Sequence, residues 1–196
     1  MSRIGVVLIY SALVFLAVIP IGITAMSPLL AWREPIYIVA GFAGVIAITL
    51  MLLQPVLAAG YLPGLSIRRG RDLHRWVGCA LVLSLVIHVA GLWLTSPPDV
   101  VDALLFNSPT PFSNWGVIAM WAVFASACLA LFRRRFRSRL GLWRLSHKSL
   151  AGVIVIGSVV HAMKVDGTME IISKSLLCVL LVVVTGLALM KFKQRS

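Results

Sequence analysis

Apolar runs of about 20 residues alternate along the chain with short polar connections that hold nearly all of its charge. A run of that length crosses about 30 Å of hydrocarbon as an α-helix, whereas a membrane barrel is built from strands of about ten residues. The pattern predicts an all-α protein, a bundle of six transmembrane helices at about residues 4–26, 36–59, 74–95, 115–132, 145–163 and 171–190. The first run follows a single Arg3 and exceeds the apolar part of a secretory signal, so it reads as a span rather than a cleaved leader. The second contains Gly41, Gly44, Gln54 and Pro55, and its small residues suit close approach of helices. The fifth is the shortest, about 15 uninterrupted apolar residues, and crosses a bilayer only with its two histidines facing inward.

The connections differ in character. Residues 60–73 and 133–148 are basic, the second with seven Lys and Arg, and the chain ends on Lys191, Lys193 and Arg195. Residues 96–114 have four prolines, Asp99, Asp102 and no basic residue, with Phe106 and Phe112 suiting a segment laid over the membrane surface. Trp115 opens the fourth run at the level of an interfacial aromatic belt.

Composition agrees with the pattern: 60% hydrophobic residues, 12% charged and a mean hydropathy of +1.01 exceed what a soluble domain of 196 residues buries. The net charge of +12 sits in the connections, where it sets orientation in a bilayer and does not imply nucleic acid. With both termini cytoplasmic, 15 of the 18 Lys and Arg lie inside, leaving Arg33, Lys164 and Lys174 outside with five of the six acidic residues. An integral protein of a bacterial inner (plasma) membrane is expected. Cys79, Cys128 and Cys178 occupy three different runs without a CxxC or CxxCH pattern, which excludes a disulfide framework and a covalently attached c-type haem.

All four histidines fall on spans three and five. His74 and His88 are 14 residues apart, as are His147 and His161, and each member of the second pair follows its counterpart by 73 residues. On a helix 14 residues bring two side chains to nearly one face, about 21 Å apart along the axis. Both spans run outward from the cytoplasmic side, so each histidine has a counterpart at its own depth. A lone membrane histidine serves a hydrogen bond or a proton path, but four with matched spacings point to ligands. A tetrahedral zinc site is excluded, because each depth offers two imidazoles and no thiolate or carboxylate. Two imidazoles on either side of a plane suit haem iron, with two haems between spans three and five. Both axial positions are then taken, which favours electron transfer over oxygen binding. Gly78, Gly91 and Gly157 share a face with the ligands, where they would admit a flat macrocycle or simply pack helices. Arg75, Arg144 and Lys148 at the inner depth, and Lys164 at the outer, are candidate propionate partners.

Residues 37–190 resemble the ferric reductase-like transmembrane domain family, which includes ferric-chelate reductases, NADPH oxidases and the haem-bearing membrane subunit of the periplasmic methionine sulfoxide reductase system. The resemblance rests on the six-span plan, the paired ligand spacing, and the stretches Arg-Asp-Leu-His74-Arg-Trp and Leu-Gly-Leu-Trp-Arg-Leu-Ser-His147-Lys. It implies that His74 and His147 ligate an inner haem b and His88 and His161 an outer one. It also implies electron flow from a cytoplasmic flavin to the far side of the membrane. Six residues follow Met190, too few for the flavin and nicotinamide domains of the larger members. The expected donor is therefore a separate cytoplasmic flavin reductase, FMN or FAD bound at the basic face, or membrane quinol; the expected acceptor is a ferric chelate or a periplasmic protein. The basic segment 133–148 is suited to dock an acidic donor or a flavin phosphate. The competing readings are a quinol-linked cytochrome b subunit and a non-redox transporter or scaffold.

Overall fold

The computed structural model describes residues 3–193, which contain helices and no strand; Arg195, counted with the basic tail, lies outside the described residues. The α-helices are α1 (Arg3–Ala25), α2 (Pro35–Ala59), α3 (Ile67–Thr95), α4 (Pro97–Leu104), α5 (Pro111–Leu131), α6 (Leu140–Lys164) and α7 (Ile171–Lys193). Five stretches are long and apolar enough to cross a membrane: α1, α2, α3, the stretch Pro111–Lys164, and α7. The fourth contains both α5 and α6, parted by a 3-10 segment, Phe132–Arg139, in which Phe136 leaves helical dihedrals (φ −96°, ψ 17°). The helices form two compact units, one of α1, α2, α3 and α7 and the other of α4, α5 and α6.

In the first unit α2 packs against α1, α3 and α7. Its small residues Ala40, Ala43, Ala47 and Ala59 are buried, as are Leu177 and Leu181 of α7. Helix α2 ends at Gly60 in the left-handed region (φ 63°), a conformation that costs glycine little. Tyr61 N–H then donates to the Val56 carbonyl at 3.2 Å and Gly60 N–H to the Leu57 carbonyl at 3.3 Å, closing a Schellman-type end. Lys191 of α7 donates to the Ala59 carbonyl at 3.0 Å with its ammonium 4.2 Å from the Tyr61 ring centroid, satisfying another carbonyl of that negative helix end. Helix α3 begins seven residues before the expected start at 74. The Ser66 hydroxyl accepts from Arg69 N–H at 3.3 Å and its carbonyl from Gly70 N–H at 2.9 Å, so the basic residues 68–71 form the first turn. Hydropathy marks where hydrocarbon begins, and a capped helix starts before it.

The second unit is built on the α5–α6 hairpin. Gly157 lies against α5, where an added Cβ would stand 3.0 Å from both Ala119 Cβ and the Trp115 carbonyl oxygen. Segment 96–114 contains a turn of helix, α4, and then a hydroxyl cluster before α5: Thr110 Oγ1 is 2.6 Å from Ser113 Oγ and 2.8 Å from Ser108 Oγ. Pro111 opens α5 at the first helical position, where its missing N–H costs nothing. Helix α6 begins at Leu140, so most of the basic segment 133–148 is helical rather than a loop.

Candidate functional site

The histidines lie on the second helix of two hairpins, α2–α3 in one unit and α5–α6 in the other, and each turns Nδ1 toward the first helix of its own hairpin. His88 Nδ1 lies 2.7 Å from the Ala40 carbonyl oxygen and His161 Nδ1 2.9 Å from that of Phe112. His74 Nδ1 lies 3.2 Å from the Gln54 carbonyl oxygen, and His147 Nδ1 3.0 Å from Ser126 Oγ. A carbonyl oxygen only accepts, so the proton in the first three bonds is on Nδ1 and the lone pair of the neutral ring is on Nε2. The Ser126 hydroxyl acts in either sense. An Nδ1–H anchored on a carbonyl holds an imidazole for metal ligation through Nε2 and raises its basicity.

The two hairpins achieve this by one device. A helical side chain covers the turn N-terminal to itself, so the residue four after a carbonyl normally obstructs it. Four residues after Ala40 is Gly44, and four after Phe112 is Gly116. A Cβ on Gly44 would stand 3.0 Å from His88 Nδ1, and one on Gly116 2.7 Å from His161 Nδ1. Ala40, Gly44 and Gln54 recur as Phe112, Gly116 and Ser126, each 72 residues on, while the histidines recur after 73.

The inner ligands carry more around them. The Gln54 amide reaches both His74 and Gly78. Its oxygen can accept from Gly78 N–H at 2.8 Å with its nitrogen toward His74, or the reverse orientation presents oxygen to Nδ1, which is the one that matches ligation through Nε2. Trp143 stacks on His147, with ring centroids 5.3 Å apart and planes 8° from parallel, and its Nε1–H donates to the Leu129 carbonyl at 2.9 Å. The Arg133 guanidinium lies 5.1 Å from the same indole.

Gly78, Gly91 and Gly157 face the neighbouring helix of their own unit. Cβ atoms there would meet the Gln54 amide at 3.4 Å, Ala40 Cβ at 2.7 Å, and Ala119 with Trp115 at 3.0 Å, so close helix approach accounts for all three. Arg75 pairs with Asp72 at 3.1 Å on an exposed surface, and Arg144 Nε donates to the Leu140 carbonyl at 3.3 Å. Lys148 follows His147 directly, and Lys164 is exposed in the last turn of α6, where a cation complements the helix dipole. The histidine pairs belong to different units, so each is described within its own. Gln54, Ser126, Trp143, Gly44 and Gly116 are the functional neighbours that sequence reasoning passed over. Their signal was the 72-residue recurrence, displaced by one from that of the histidines.

Among the described residues no group of three or more His, Cys, Asp or Glu is gathered to hold a bare metal ion. Separated imidazoles, each anchored through Nδ1, instead fit an iron whose macrocycle supplies the remaining ligands. A family model described as ferric reductase like transmembrane component matches residues 40–158, more than half of the chain. The chain belongs to the ferric reductase-like transmembrane family. In this ferric reductase-like chain the match begins at Ala40, the residue that anchors His88, and takes in three of the four histidines. No curated protein and no solved structure matches the ferric reductase-like chain. Family membership supports a membrane redox role.

Proposed function

We propose that the chain is a six-span b-type cytochrome that passes electrons from the cytoplasmic side of a bacterial inner membrane to an acceptor outside. His74 and His147 are the axial ligands of an inner haem, and His88 and His161 those of an outer one. The observation that carries this reading is the anchoring of all four imidazoles through Nδ1, repeated at matching registers in two hairpins. Bound there, haem supplies one-electron chemistry at an iron whose axial positions are both filled.

The chain's own residues supply the rest. Ala40, Phe112 and Gln54 hold the imidazole protons at Nδ1 by their carbonyl oxygens, and Gly44 and Gly116 keep two of those carbonyls open. The apolar residues of α3 and α6 exclude water around the ligands. The basic residues of 67–75 and 133–148 orient the hairpins with their turns toward the cytoplasm and both termini on that side. They also attract an anionic donor, either a flavoprotein or a flavin nucleotide, with quinol as the membrane-borne substitute. The acceptor outside is a ferric chelate or a periplasmic reductase.

The test is pyridine haemochrome assay against protein concentration on the purified full chain. Two haems b per chain are expected. A sample without a Soret band, or a ratio fixed near one, overturns the two-haem reading.

A further inference from the structure

His147 is unlike the other three histidines. Its Nδ1 partner is a serine hydroxyl rather than a backbone carbonyl, so the anchor is a rotor that donates or accepts. The ring plane is defined instead by Trp143, parallel within 8° at a centroid distance of 5.3 Å. The indole is itself tied down by its bond to the Leu129 carbonyl, with the Arg133 guanidinium 5.1 Å from its ring. The corresponding place before His74 is Gly70, whose missing side chain lets α3 pack on the Leu57 carbonyl, where an added Cβ would stand 3.2 Å away. The stack therefore has no counterpart in the other hairpin.

We propose that Trp143 and Ser126 are positioning residues for His147. Trp143 sets the plane of the imidazole by stacking, and Ser126 sets its electron donation by accepting the Nδ1 proton, so that together they tune the inner haem separately from the outer. This rests on the bis-histidine reading above. A hydroxyl that accepts from Nδ1–H makes the ligand more basic, which favours ferric iron and lowers the potential of that haem. The ring plane enters independently, because the spectrum of a low-spin ferric haem with two imidazoles depends on the angle between their planes. Parallel stacking against a fixed indole removes the rotation that a single hydrogen bond about Nδ1 leaves open.

The experiment uses the full chain purified with its haem. Trp143→Leu, Trp143→Phe and Ser126→Ala are compared with the parent by low-spin ferric EPR, redox titration of each haem, and haem content per chain. Trp143→Leu is expected to move one of two low-spin signals, and Trp143→Phe to return it toward the parent position because a flat ring is restored. Ser126→Ala is expected to raise the midpoint potential of the same haem, with the other haem unchanged throughout. An unmoved signal in Trp143→Leu with both haems bound overturns the proposal, and so does an equal displacement in the Leu and Phe variants. Should Trp143→Leu fail to fold, Ser126→Ala decides: a rise confined to one haem supports it, and no change overturns it. Failure of the underlying reading looks different, since the parent would then hold no haem, or His147→Ala would keep both.

Discussion

Gly44 and Gly116 are the positions where one carbon atom decides the site. Each leaves a carbonyl of the preceding helix open to an imidazole, and a methyl group would intrude on His88 Nδ1 from 3.0 Å or on His161 Nδ1 from 2.7 Å. Gly116→Ala is expected to displace His161 from Phe112 and cost about 1–3 kcal/mol, the usual penalty for overpacking. Outer haem should be lost first, which absorbance per chain and thermal unfolding in detergent both read. The milder Gly44→Ala should broaden or shift the outer-haem signal with less loss. Gly186 of α7 is the control: nothing lies within 4 Å of an added Cβ, so Gly186→Ala should leave haem content unchanged and raise stability by up to about 1 kcal/mol.

Among the elements, the two histidine helices are held on their neighbours by glycine at one face and by capping at their cytoplasmic ends. Gly157→Val is expected to push α6 off Ala119 and the Trp115 carbonyl, costing several times the effect of an exposed substitution and loosening His161, four residues on. Unfolding in detergent and haem retention on dilution measure it. Removing the α3 cap is gentler. Ser66→Ala deletes the acceptor for Arg69 N–H and should cost about 1 kcal/mol. His74 lies seven residues inside that helix, so its ligation should survive, with hydrogen exchange raised only in the first turn.

For the whole molecule, the stretch Phe132–Arg139 joins the two apolar helices of the second hairpin with five arginines. If it faces the cytoplasm and receives the donor, replacing Arg134, Arg135 and Arg137 by Gln should slow haem reduction by that donor and flatten its salt dependence. Arg133 is kept because it lies over Trp143. Reduction by dithionite and haem content should stay as in the parent, and stopped-flow rates at two ionic strengths make the comparison. A cysteine placed at position 137 should react with an impermeant reagent only in broken cells; labelling in intact cells would reverse the orientation. His88→Ala and His161→Ala should each remove one haem and leave the other, whereas equal loss of both would mean that the two depths do not act independently.

The apolar runs and the histidine spacings were sufficient to read a helical membrane protein of the ferric reductase-like family, because both depend on periodicity along one chain. Run length reports hydrocarbon thickness, and a 14-residue interval reports a helix face, whatever surrounds them. The starts of α3 and α6 escaped that reading, since a cap such as Ser66 lies outside hydrocarbon and hydropathy is blind to it. The roles of Gly78, Gly91 and Gly157 were ambiguous for a related reason: a missing side chain says that something comes close, and only the fold says what. Tertiary structure alone decided the anchors. Three of the four are made by backbone carbonyl oxygens, which every residue carries, and the fourth by a serine 21 residues away on another helix. Nothing in one helix's own pattern identifies which carbonyl of its neighbour will meet an imidazole. That is set by the crossing of two packed helices, and it is what determines which nitrogen of each histidine faces a metal.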